Sequence, residues 1–180
     1  GLVLGGFLLE RHLGKGAMGD VYLGRQLSMD RLVAIKTLPP QMTMNQDAVG
    51  RFLHEVQITA QMSHPNIVTA FDAGADDGTY FFAMAFVDGE DFKKNVERDG
   101  ALPEPEALEV LRDVSRALRY AWEEFRILHR DVKPENIMVD RHGTVRLMDM
   151  GISKSMHQDG GLTVEGMVVV TPHYMSPEQA

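Results

Sequence analysis

The 180 residues are 44% hydrophobic and 24% charged, an ordinary globular balance with room for one large domain or two small lobes. A formal net charge of −8 argues against nucleic acid as the main partner, and the absence of cysteine excludes disulfides and thiolate metal sites. No run approaches the roughly 20 apolar residues of a membrane helix, and Gly1 to Gly6 is too short and lacks the basic start of a signal peptide.

Phe7 to Leu13 alternates like a strand and runs into a glycine-rich turn; Val21 to Leu23 and Leu32 to Lys36 read as further strands. Pro39-Pro40 closes that region. Asn45 to Met62 reads as a helix with an apolar stripe of Val49, Phe52, Leu53, Val56 and Ala60. Asn45 suits its N-cap, and Asp47 the positive end of its dipole. After the break at His64-Pro65-Asn66, Ile67 to Phe71 and Tyr80 to Met84 read as two strands around Asp76-Asp77-Gly78. That predicts about five strands and one helix before residue 90, with Val87-Asp88-Gly89 as a connector. Glu104 to Phe125 is the clearest helix, and Leu111, Val114, Leu118, Ala121 and Phe125 recur at core spacing. Ile137 to Val139 and Thr144 to Met148 flank Arg141-His142-Gly143 as a hairpin. Beyond Gly151 the chain is loop-like, with a short apolar run from Met167 to Val170.

Chemistry concentrates in His129-Arg130-Asp131-Val132-Lys133-Pro134-Glu135-Asn136. A carboxylate, an ammonium and a carboxamide within six positions suit phosphoryl transfer: a proton acceptor, a cation for the moving phosphate and an oxygen ligand for Mg²⁺. Gly14-Lys15-Gly16-Ala17-Met18-Gly19-Asp20-Val21 has the form G-x-G-x-x-G-x-V, a weak signal alone. A dinucleotide fingerprint needs a helix straight after the glycines, whereas Val21 to Leu23 reads as a strand, which favours a strand–turn–strand phosphate cover. Lys36 ends an apolar strand, where an ammonium needs a partner or a ligand anion, and Glu55 is the natural partner. Asp149 follows Val145 to Met148, so a carboxylate and the Asn136 amide meet across the hairpin as oxygen ligands suited to Mg²⁺. A turn aspartate and a solvated helix glutamate are the plain alternatives for Asp149 and Glu55 taken singly.

In order, the glycine loop, Val33-Ala34-Ile35-Lys36, the helix Glu55, His129-Arg130-Asp131 and Ser176-Pro177-Glu178 make the chain resemble the eukaryotic-type protein kinase superfamily. Within it the chain looks closest to bacterial Ser/Thr kinases, over about Phe7 to Ala180. The resemblance implies an α+β, bilobal fold. Residues 7–87 would form an ATP-binding N-lobe with an antiparallel five-stranded sheet and one main helix. Residues 88–180 would form a partial, mainly helical C-lobe with the catalytic loop and activation segment, the later helices missing.

By similarity, the Gly14 to Val21 loop covers the ATP phosphates, and Leu13, Val21, Ala34, Met84 and Met138 surround the adenine, whose edge meets the backbone of Ala85 and Val87. Lys36, paired with Glu55, holds the α- and β-phosphates; Asp131 accepts the hydroxyl proton; Lys133 steadies the γ-phosphate; Asn136 and Asp149 hold Mg²⁺. Lys133 and Thr171 resemble the Ser/Thr-selective pattern, and Arg130 implies control by a loop phosphate, with Thr163 the candidate acceptor and Ser153 and Ser155 weaker ones. The chain departs from the family in Met150 for the usual phenylalanine, Ser176 for alanine, Ala85 for an acidic residue and Val170 for glycine. Expected partners are ATP, Mg²⁺, protein substrates and a second copy of the chain for trans-autophosphorylation, with the kinase domain cytoplasmic. The family's large lobe continues past the point matched by Ala180, so the isolated piece is expected to be weakly stable and poorly active. A pseudokinase scaffold, supported by Met150 alone, and a small-molecule phosphotransferase are the competing readings.

Overall fold

The computed structural model describes residues 1–16, 19–44, 46–150, 174 and 176, with no account of the side chains of 41, 42, 48, 51 and 55. These described residues divide into two compact units, one of 1–61 and 69–86, the other of 62–68, 87–150, 174 and 176. Among them no helix is long and apolar enough to cross a membrane.

The first unit is an antiparallel sheet of six strands: β1 (Leu2–Leu4), β2 (Phe7–Gly16), β3 (Gly19–Gln26), β4 (Arg31–Thr37), β5 (Ala70–Asp76) and β6 (Thr79–Ala85). Their spatial order is β1-β2-β3-β4-β6-β5. The count is six where the sequence predicted five. Gly5 and Gly6, at φ +55° and +86°, fold Leu2–Leu4 back on Phe7–Leu9 as an extra edge strand. Leu4, Phe7, Val33, Ile35, Phe81 and Ala83 form the core on one face, with the Phe7 and Phe81 rings edge to face at 5.7 Å. A short helix α1 (Pro40–Thr43) leads into α2 (Gln46–Thr59), which packs on β5. Val49, Phe52 and Val56 are the buried members of its predicted stripe. Leu53 is half-buried, and Ala60 lies past the helix end, exposed. Asn45, the expected N-cap, lies outside the described residues.

The second unit is built on helices α3 (Phe92–Asp99) and α4 (Glu104–Phe125) and a sheet of β7 (Gly89–Asp91), β8 (Ile137–Asp140) and β9 (Val145–Leu147). Helix α4 buries Val114, Ala117 and Ala121 toward β9. Leu111, expected in that stripe, is 61% exposed: the buried row runs through Ala117 instead. Arg126, left-handed at φ +57°, ends the helix with its N–H on the Ala121 and Trp122 carbonyls. Ile67 and Val68, expected in a strand with Phe71, instead lie along β9. Val68 N–H donates to Leu147 O at 3.0 Å, and Leu147 N–H to Asn66 O at 2.8 Å. Buried Asn66 completes this seam, its Nδ2 donating to Val145 O at 2.8 Å. Tyr120, on α4, accepts from Ser63 N–H at 3.0 Å and stacks on His64 at 5.2 Å. The result is a braced β8–β9 hairpin whose ends carry the groups described next.

Candidate active site

In the first unit the glycine motif lies in the β2–β3 hairpin, strand–turn–strand, and no helix follows it. Gly16 pairs with Gly19, and Gly14 with Val21, while Ala17 and Met18 lie outside the described residues. Gly19 is the position that only glycine fits: its φ is +113°, and a Cβ there would sit 1.8 Å from the Thr37 carbonyl oxygen. A Cβ on Gly14 would meet nothing within 4 Å. Lys15 is exposed, and the Asp20 carboxylate is taken up across the hairpin by His12 Nε2 at 2.8 Å.

Val21 pairs in register with Lys36 on β4, and Lys36 with Phe82 on β6. Two residues earlier on the same strand face, Ala34 lies between Leu23 and Met84. Lys36 is only 7% exposed, unusual for an ammonium in a strand. Met84 is buried, Val21 and Ala85 half-buried and Leu13 exposed. The Ala85 N–H donates to Thr69 O at 2.8 Å, which removes it from the backbone groups able to meet a ligand. Glu55 lies on α2, and its side chain, like any pairing with Lys36, lies outside the described residues.

In the second unit the loop after α4 gathers Asp131, Lys133 and Asn136. Asp131 Oδ2 accepts from Lys133 Nζ at 2.9 Å and from Asn136 Nδ2 at 3.0 Å. Asn136 Nδ2 also donates to the Asp131 carbonyl at 2.8 Å, which turns the amide nitrogen toward the aspartate and its oxygen away. A 3-10 turn over Pro134–Asn136 brings Asn136 back under the loop. Its carbonyl accepts from Met148 N–H at 2.9 Å, so Asp149 begins one residue from a direct tether to Asn136. Asp149, at φ +54°, and Arg130, at φ +64°, both bend the chain in left-handed conformation. Met150 is 1% exposed, its thioether side chain buried. Met138 on β8 is half-buried, and Val87, which opens the main span of this unit, is buried.

One residue of this site was not given a role from sequence. His129, 2% exposed, donates from Nε2 to Met148 O at 2.7 Å and accepts from Asp131 N–H at Nδ1, 3.3 Å. One ring thus ties the Asp131 loop to the residue before Asp149. The sequence signal was a histidine between the apolar Ile127-Leu128 and a charged pair.

Burial pushes the His129 imidazole below its ordinary value, only partly opposed by its bond to Met148 and by Asp149 and Asp131. His64 is lowered too, by burial and then by Arg116, and its Nδ1 likewise accepts a backbone N–H, from Asn66 at 3.1 Å. Protonating either ring at Nδ1 deletes that acceptor. The unfolded chain takes up these protons near pH 6.5 and the native chain only below it, so stability is full above 6.5 and falls as the pH drops through the lowered native values. Urea titrations from pH 7.5 to 5 are expected to show this decline, with His129 contributing at most about 1.4 kcal/mol per pH unit. A slope unchanged in His129→Gln would remove that residue as a source.

Arg130 sits between His129 and Asp131 in the loop, and Ser176 is exposed. Thr163, Thr171, Ser153, Ser155, the Met167 to Val170 run, Gly151, Pro177 and Glu178 lie outside the described residues.

A sequence profile for the protein kinase domain matches residues 7–180. The serine/threonine-protein kinase PrkC of Bacillus subtilis is 34% identical over 99% of the chain, which covers 27% of that protein. PknF of Mycobacterium tuberculosis, also a serine/threonine-protein kinase, is 39% identical over 99% of the chain and 39% of its own length. The chain therefore spans between a quarter and two fifths of the length of these relatives. Among solved structures, the PknI kinase domain of M. tuberculosis superposes with a TM-score of 0.77 at 35% identity, over 86% of this chain and 61% of that one.

Proposed function

This chain belongs to the protein kinase domain family, and on that premise we propose that it transfers the γ-phosphoryl group of ATP to serine and threonine hydroxyls of proteins. The observation that carries this reading is the Asp131 carboxylate held by Lys133 at 2.9 Å and Asn136 at 3.0 Å, in a loop tied through His129 to Met148, the residue before Asp149. Phosphoryl transfer asks a protein mainly for positioning and charge, and that is what fixed side chains of this kind supply.

In this reading Asp131 accepts the proton of the attacking hydroxyl, and Lys133 steadies the γ-phosphate as charge shifts in transfer. Lys36 meets the α- and β-phosphates, with Glu55 as its partner. The Gly14, Gly16 and Gly19 hairpin, with Lys15, Ala17, Met18 and Asp20, covers the phosphates; Asp20, its carboxylate engaged by His12, contributes through its backbone. Leu13, Val21, Ala34, Met84 and Met138 surround the adenine, beside the backbone of Ala85 and Val87. Arg130 answers a phosphate on Thr163, and Thr171 supports the choice of Ser and Thr. Residues 7–87 are the ATP-binding part and 88–180 the catalytic part, acting in the cytoplasm, with a second copy of the chain as an autophosphorylation partner.

Asn136 and Asp149 fit a hard divalent cation. The Asn136 nitrogen is committed to Asp131, leaving its oxygen as the donor, and Asp149 adds a carboxylate. Among the described residues no group of three or more His, Cys, Asp or Glu side chains assembles, so phosphate and water oxygens would complete the shell of Mg²⁺. When bound, Mg²⁺ would offset charge on the phosphates.

The test is direct. The full-length protein, given Mg-ATP and a generic protein substrate, is expected to place phosphate on serine and threonine. Nucleotide binding with no transfer would replace this reading by the scaffold one, and transfer confined to small molecules would overturn the substrate class.

A further inference from the structure

One charged contact reaches into the catalytic loop from a neighbouring helix. Lys93, in the first turn of α3, places Nζ 3.0 Å from Glu135 Oε1. Glu135 lies in the 3-10 turn between Pro134 and Asn136, and α3 lies against that turn. Charges therefore alternate along a short path: Lys93 on Glu135, then Lys133 on Asp131 at 2.9 Å. The second Glu135 oxygen is buried with no hydrogen-bond donor among the described residues. With that oxygen shut off from water, the carboxylate draws on nearby cations. Burial alone would raise the Glu135 carboxyl, but a backbone hydrogen bond, Lys93 and then Lys133 outweigh it and hold the group below the ordinary carboxylate value. Lys93 is displaced upward, chiefly by its bond to Glu135.

We propose that Lys93 is a positioning residue for phosphoryl transfer: by holding Glu135 at 3.0 Å, it keeps that carboxylate from drawing Lys133 away from Asp131 and the γ-phosphate. The inference rests on the role given above to Lys133. With Lys93 gone, Glu135 is a partly buried anion two residues from the Lys133 ammonium, whose three donors let it turn toward the carboxylate.

The full-length protein is compared with Lys93→Met, Lys93→Arg, the double variant Lys93→Met/Glu135→Gln, and Lys94→Met. Two quantities are read: kcat and KM on a protein substrate, and the ratio of affinities for a Mg-bound non-hydrolysable ATP analogue and for Mg-ADP. Lys93→Met is expected to lower both kcat and the affinity ratio about tenfold, with the protein-substrate KM changed less. Lys93→Arg keeps both. The double variant returns to within about threefold of the parent, because without the carboxylate nothing competes for Lys133. Lys94, the next residue on α3 and 2.8 Å from Asp91, controls for loss of charge and leaves both readouts unchanged. Melting temperatures stay level, since a half-exposed pair adds little to stability.

A Lys93→Met protein equal to an active parent overturns the inference and leaves the kinase reading standing. A double variant as impaired as Lys93→Met also overturns it, because bracing alone would then be the role. A parent with no preference for the γ-phosphate, or no nucleotide binding, overturns the kinase reading and the inference together.

Discussion

Asp131→Asn is expected to lower kcat for protein phosphorylation by about 10²–10⁴-fold, the span of a lost proton acceptor. The amide is nearly isosteric, and its oxygen can still receive Lys133 and Asn136, the donors that now lie 2.9 and 3.0 Å from Asp131 Oδ2. The loop should therefore keep its shape, and KM for Mg-ATP should move little. What is lost is basicity: an amide cannot take the hydroxyl proton, and its neutral charge loosens the hold on Lys133. Steady-state kinetics on the full-length protein, beside a circular dichroism melt, checks both halves. Equal incorporation by parent and variant would remove Asp131 from the mechanism; a collapsed melt would instead assign it to folding.

The second large effect is expected at Lys36. Lys36→Met replaces the ammonium by an apolar chain of similar length within β4, between Val21 and Phe82 in register. The strand keeps its pairing, because the change leaves backbone hydrogen bonds alone. An ammonium 7% exposed acts in a poorly screened setting, where a charge aimed at phosphate is worth far more than in water. A fall of about 10²–10³-fold in kcat/KM for ATP is expected, in the range for a lost transition-state donor. A variant that melts cooperatively and still turns over at the parent's rate would show that Lys36 does not meet the nucleotide.

These expectations rest on a site that the sequence revealed unevenly, for physical reasons. Asp131, Lys133 and Asn136 are close in sequence, so a single 3-10 turn suffices to bring them together. Asp149 was placed near Asn136 by the hairpin pattern, and the Met148–Asn136 hydrogen bond at 2.9 Å gives that proximity its form. The strand after the glycines was legible from its β-branched and aromatic residues, which separated a hairpin from a helix-borne fingerprint. Glu104–Phe125 was legible to its ends, since a long amphipathic stripe is a strong periodic signal. Helix α3 was not, because none of its residues is buried; its signal is the Asp91 cap, which accepts from Lys94 N–H at 3.0 Å. Strand β1 is three residues long, too short to show a period. Ile67 and Val68 have strand propensity, but the segment bridges β9 through Asn66 O and Val68 N–H, a choice made by tertiary pairing. The roles of His129 and Lys93 depend on partners 19 and 42 residues away, at Met148 and Glu135, beyond the reach of spacing arguments.

Accepting two hydrogen bonds at Oδ2 also gives the Asp131 carboxylate two unlike edges. Its Oδ2 lone pairs point at Lys133 and Asn136, so in the proposed reaction the lone pairs of Oδ1 would be the better placed to receive a proton. A hydroxyl substrate of the proposed reaction would then be expected to arrive along the Oδ1 side. On the proposed role of Asp131, the loop would select nucleophiles by direction as well as by reach, since a side chain entering from the Lys133 edge would meet donors.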